Sequence, residues 1–125
     1  MTTVIVHDIN GDVCLQSQEN LHSYSKIDVH LADLELCTDD KIMEGVIDRY
    51  RESYPHLIVY SDDTRDDMIE GSTIALYVAH AFKNDSDSHH ADLYVLFCSH
   101  KANGISASVV YDYIVRYMEM YERMI

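Results

Sequence analysis

Tryptophan is absent from this chain, proline occurs once and glycine only four times. So few chain-breaking and flexible residues exclude a collagen-like or low-complexity polymer and point to regular, packed elements. The three cysteines, Cys14, Cys37 and Cys98, form no Cys-x-x-Cys pair, so the four clustered ligands of a structural zinc site are missing. Buried thiols in a reducing compartment are the expectation. No apolar run nears the roughly 18 residues of a membrane span, and no basic-then-apolar leader is seen, so a cytoplasmic protein without membrane contact is expected. Positive charge is scarce: nine Lys and Arg stand against 22 Asp and Glu, a net charge of −13. Such a surface repels nucleic acid, because affinity there comes from cations that displace counterions. It suits a basic protein partner, bound divalent cations, or a salty cytoplasm that screens the repulsion.

What remains is substantial: 47% of the 125 residues are hydrophobic, ten of them Tyr. That is enough for one domain, residues 1–125, with its own apolar core.

Val4–Ile9 and Asp12–Ser17 flank Asn10-Gly11, a strong signal for a two-residue hairpin turn. The implied register sets Val6 against Leu15, Val4 against Ser17 and Asp8 against Val13. Residues 26–36 alternate Ile27, Val29, Leu31 and then change parity at Leu34 and Leu36, which predicts a third strand bent at Ala32-Asp33. Thr38 caps a predicted helix with Asp39 and Asp40 in its first turn and Met43, Val46, Ile47, Tyr50 and Tyr54 at helical spacing, ended by Pro55. A short buried strand follows and stops at Ser61-Asp62-Asp63. Then come a helix from about Thr64 to Lys83, a loop, a strand over Ala91–His100 and a final helix from Ile105 to Met124. The expected fold is α/β, an antiparallel meander followed by βαβ crossovers in a mixed five-stranded sheet covered by helices.

Four acids stand out by location. Asp8 ends the first strand, Glu44 borders the buried face of the first helix, Asp62 ends the fourth strand, and Asp112 lies between Val110 and Ile114 of the last helix. Gathered carboxylates repel, and persist together only with cations or shifted pKa values. Oxygen ligands suit Mg²⁺ or Mn²⁺, and two such ions about 4 Å apart can cleave a phosphodiester.

The element order and these acids resemble the ribonuclease H-like superfamily, whose βββαβαβα core carries a D-E-D-D constellation. "VIVHDINGD", "TDDKIMEGVIDRYRE", "LIVYSDDTRDDMIEG" and "VLFCSHKANG…YDYI" are similar to its words, in the same order. The resemblance implies that Asp8 and Asp62 hold the metals, while Glu44 joins one of them and orients the attacking water. Asp112 would complete the second metal site, and His100 would help protonate or release the product. The implied substrate is the RNA strand of an RNA–DNA hybrid.

Each residue has a plainer reading: Asp8 as a hairpin residue, Glu44 and Asp112 as solvated helix acids, Asp62 as a helix cap with Asp63 the ligand, and His100 as a loop histidine. Cys98 and His100 lack the third group a thiol nucleophile needs. "NDSDSHH" lacks the Gly and Glu of a calcium loop. The charge supports a second expectation, a non-catalytic acidic protein that engages a basic partner, in the manner of a nucleic-acid mimic. A superfamily domain that serves only in dimerisation or scaffolding is a third. Tyr113, Tyr117, Met118, Met120, Tyr121 and Met124 cover more than one helix face, which suggests a homodimer through the C-terminal helix.

Overall fold

The computed structural model describes residues 1–21, 24–33, 44–45, 48, 51–52, 57–69, 72–82, 91–100 and 104–124, with side chains described outside 57–69, 72, 82, 91 and 121–124. Its described elements are β1 (Thr2–His7), β2 (Val13–Glu19), β3 (Tyr24–Asp33), β4 (Leu57–Ile69), β5 (Ser72–Phe82), β6 (Ala91–Ser99) and helix α1 (Ala107–Met124). The strands form one six-stranded mixed sheet in the order β2-β1-β3-β6-β5-β4. An α/β class with a mixed sheet is what the element pattern predicts; the arrangement within it differs in three ways.

First, the expected helix over residues 64–83 is strand. β4 runs on to Ile69, and β5 returns antiparallel from Ser72 to Phe82, which makes six strands rather than five. After Gly71 the run is largely apolar on every side, so its periodicity does not distinguish helix from strand. Burial on both faces of the sheet decides the matter. Ile74, Leu76 and Val78 lie in one core cluster, and Tyr77 and Ala79 lie in the other.

Second, the first three strands are not a meander. β3 pairs with β1, and in parallel, on the side away from β2. The chain therefore crosses the start of β1 between Glu19 and Tyr24. Thr2 is fully buried there, and its hydroxyl donates to the carbonyls of Leu21 and Tyr24, which fastens the crossing segment.

Third, the hairpin between β1 and β2 is longer than two residues. Gly11 N–H donates to the Asp8 carbonyl at 3.0 Å, Asp8 N–H donates to the Asp12 carbonyl at 2.9 Å, and Gly11 has φ +87°. That is a turn centred on Ile9 and Asn10, closed by a glycine in the left-handed region. The expected pairs Val4–Ser17 and Val6–Leu15 are present, but a bulge places His7, not Asp8, opposite Val13.

One face of the sheet carries the larger core. Val4, Val6, Ile27, Val29, Leu31, Ile74, Leu76, Leu93, Val95 and Phe97 point to it, and α1 lies against it. The helix presents Val110, Tyr111, Ile114, Tyr117 and Met118 inward, a stripe at the three-and-four spacing of an amphipathic helix. Tyr113 meets the edge of Phe97, with ring centroids 5.9 Å apart at 77°. Tyr117 and Met118, counted above toward a dimer surface, are thus in the protein's own core, and Met120 is the exposed apolar residue beside them. Tyr121 and Met124 lie outside the described side chains, and most of the expected helix over 38–54 lies outside the described residues. Residues 44, 45, 48, 51 and 52 are helical and exposed. Among the described residues no helix is long and apolar enough to cross a membrane.

Candidate functional site

Three parallel strands, β1, β3 and β6, direct their C-terminal ends to one end of the sheet, where ligands of α/β proteins usually sit. A crevice of about 280 Å³ opens there, lined by Asp8, Ile9, Asn10 and Cys14 from the hairpin, Leu31 from β3, and Ile105 and Ala107 at the start of α1. The helix begins at this wall because Ser106 accepts the first turn's N–H groups, those of Val109 and Val110, on its carbonyl at 3.1 Å. The crevice offers one carboxylate, one thiol and one amide among apolar walls.

The carboxylate of Asp8 has a structural task. Its Oδ1 accepts the N–H groups of Asn10 and Asp12, each at 2.9 Å, so the side chain closes the hairpin turn from inside. The plainer reading of Asp8 thus describes its observed contacts.

The other acids do not join it. Asp62 is not at a strand end: it is the sixth of thirteen residues in β4, opposite Tyr77 of β5. The stop expected at Ser61-Asp62-Asp63 is absent: β4 continues through the polar residues 62–67 as the outermost strand. β1 and β4 are separated in the sheet by β3, β6 and β5. Four strand spacings put the backbones of Asp8 and Asp62 roughly 19 Å apart. Two side chains of that length do not bridge such a gap to one ion, or to two ions about 4 Å apart. Asp112 is exposed on the solvent side of α1, and Glu44 is an exposed helical residue. His100 follows β6 at the same end of the sheet as Asp8 and is exposed, with two strand boundaries between them. Among the described residues no group of three or more His, Cys, Asp or Glu side chains is arranged to hold a metal ion. Asp8, Glu44, Asp62 and Asp112, the donor set expected for Mg²⁺ or Mn²⁺, thus belong to separate elements, and their backbone positions do not bring them together.

The polar cluster the structure does build lies on the opposite face of the sheet from α1. His7 and His30 are partners in the parallel register of β1 and β3, and their rings stack. His30 stacks in turn on Tyr94 of β6, with centroids 4.5 Å apart at 20°. Asp28, buried, receives His7 Nε2 at 3.1 Å on Oδ1 and Lys26 Nζ at 3.2 Å on Oδ2. His7 Nδ1 lies 3.3 Å from the Gly11 carbonyl, so the ring also ties β1 to the hairpin turn. A neutral ring donates to one of these two acceptors, and an imidazolium donates to both. Sequence reasoning passed over this cluster. The available signal was the word Val-His, which occurs in both Val6-His7 and Val29-His30 at the position following a core residue.

The cysteines differ from the expectation of three buried thiols. Cys14 is exposed and free, because the bulge in β2 puts it on the sheet's edge. Its Sγ–H points to the Val6 carbonyl at 3.3 Å. Desolvation, aided by the negative charge of Asp8, raises its pKa above the ordinary thiol value. Cys98 is fully buried and disulfide-bonded, so it offers no nucleophile to His100. Cys37 and the "NDSDSHH" segment lie outside the described residues.

Compared with known proteins, the chain matches no family model, no curated protein sequence and no solved structure.

Proposed function

We propose that this chain is an acidic binding protein that docks on a basic protein surface, in the manner of a nucleic-acid mimic, rather than a metal-dependent nuclease acting on RNA–DNA hybrids. One observation carries this reading: among the described residues the exposed carboxylates are spread over the surface instead of gathered at a point. Asp12, Asp33, Glu44, Asp48, Glu52, Asp112 and Glu119 are exposed, with Arg51 and Arg116 the exposed guanidiniums among the described residues. Spread acids on a chain of net charge −13 create a long-range negative field, which accelerates encounter with a cationic partner and sets its salt dependence. Gathered acids would instead demand a cation.

The test uses a lysine-rich nucleic-acid-binding protein as probe. Binding is expected to weaken steeply as salt rises and to be competed by duplex DNA, with added Mg²⁺ acting only as salt. In parallel, a labelled RNA–DNA hybrid is incubated with Mg²⁺ or Mn²⁺. It should stay intact. Metal-dependent cleavage that Asp62→Asn abolishes in a folded protein would replace the binding reading with the nuclease one.

A further inference from the structure

β2 has the composition of an interior strand and the position of an edge strand. Residues Val13–Gln18 carry no charge, no proline and no glycine, in a chain where a quarter of the residues are charged. The charge-free runs of β5 and β6 are buried between neighbouring strands, whereas β2 is the first strand of the sheet and is exposed at Val13, Cys14, Gln16, Ser17 and Gln18. Alternate residues of an outer strand direct their N–H and C=O groups away from the sheet, and proteins usually guard such an edge with lysine, proline or a bulge. The guard here is the irregularity at Cys14, which leaves Leu15–Glu19 regular. On the core side that segment is held firm: the Tyr111 hydroxyl of α1 donates to Glu19 Oε1. A strand pinned from one side and open along its edge is a preformed template for another strand.

We propose that the occupant is a second copy of this chain, with the two β2 strands antiparallel about a two-fold axis at Ser17 and the two sheets joined into one. A cationic strand finds no carboxylate to pair with along Leu15–Gln18, since this stretch of the edge carries no charge. A second copy likewise brings no like charge into that contact, and the repulsion between two chains of net charge −13 acts from outside it, where salt screens it. In this register Gln16 faces Gln18 of the other copy, Leu15 faces Glu19, and Ser17 faces Ser17. The two Glu19 residues lie about 14 Å apart along the strands, beyond the Debye length of about 8 Å in physiological salt. Two-fold pairing through one self-complementary patch is the commonest form of association. This inference stands apart from the acidic-docking proposal, which uses other surfaces.

Sedimentation velocity over micromolar to submillimolar protein tests it. Wild-type protein is expected to dimerise. Gln16→Lys with Gln18→Lys puts like charges opposite each other twice and is expected to weaken the dimer about tenfold. Thermal melting checks that this double variant is folded. Met120→Lys, on the exposed side of α1, is expected to leave the dimer unchanged. In a Cys14→Ser background, Ser17→Cys brings two thiols into the span of a disulfide, and mild oxidation is expected to yield a covalent dimer that peptide mapping locates at position 17. A monomer throughout, a dimer indifferent to the double lysine variant, or one lost only with Met120→Lys would each overturn the proposal.

Discussion

The imidazole of His7 lies flat on that of His30, ring centroids 4.0 Å apart and planes 7° from parallel. The stack joins two parallel strands by their side chains as well as their backbones, and Tyr94 extends it to a third strand. His30 is the middle ring, so removing it breaks two contacts together. Each such ring pair is worth about 0.5–1.5 kcal/mol beyond the area it buries. His30→Ala is therefore expected to lower unfolding free energy by about 1–3 kcal/mol, and His30→Phe to recover most of the loss. Urea unfolding of the two variants measures this; equal destabilisation by both would show that the ring stack is not what matters at this position.

The turn at Asp8 separates a structural carboxylate from a metal ligand. Asp8→Asn keeps an oxygen to accept the N–H groups of Asn10 and Asp12 and should change stability by less than about 0.5 kcal/mol. Asp8→Ala removes it and should cost about 1 kcal/mol. Gly11→Ala meets open space, so its cost is the backbone strain of the left-handed region alone, about 1–2 kcal/mol. Thermal melts of the three variants should follow that ranking. An Asp8→Asn variant as damaged as Asp8→Ala would mean that the negative charge itself is required.

Cys14 should label in the native protein and Cys98 should not, since one is an exposed free thiol and the other is buried in a disulfide. Its raised pKa makes the thiolate scarce near neutrality, so labelling should be slower than for an unhindered thiol and should quicken as the solution becomes more alkaline. Because Asp8 contributes to the shift, Asp8→Asn is expected to speed the reaction. Site-resolved mass spectrometry of a labelling time course reads all three effects, and an unchanged rate in Asp8→Asn would remove the carboxylate from the explanation.

Burial pushes His80 below the ordinary histidine pKa. Its ring packs at a tilt against Tyr24, 6.4 Å between centroids. In the unfolded chain the ring takes its proton near pH 6.5; in the fold it does so only at lower pH. Between those values the unfolded state binds more protons, so acidification favours unfolding. The contribution is complete above the unfolded value and is lost as pH falls through the folded one. His80→Gln should therefore show a shallower fall in Tm from about pH 7.5 to about pH 5.5 than the wild type. Parallel slopes for the two proteins would contradict a neutral, half-buried His80.

Much of the local architecture was legible in the residues. Asn10-Gly11 announced the hairpin, and the spacing of Val4, Val6, Leu15 and Ser17 announced its register. Val110, Ile114 and Tyr117 announced the buried stripe of α1. These signals are short-range: a turn needs a residue that accepts φ +87°, and an amphipathic helix shows its own period. The candidate site was far less legible. Asp8 and Asp62 looked equivalent because each followed an apolar run, and only the continuation of β4 to Ile69 showed that one ends a strand and the other does not.

The residues alone settled a strongly acidic chain rich in apolar residues, a first hairpin with its Val4–Ser17 and Val6–Leu15 pairs, and a last helix with one buried side. Tertiary structure settled whether residues 64–82 coil or extend, on which side of β1 the third strand lies, and how far apart the carboxylates stand. The physical reason is range. Turn chemistry and periodicity act between residues a few positions apart, whereas strand order depends on partners distant in the chain, and an apolar run without a period is compatible with either outcome until it finds its neighbours.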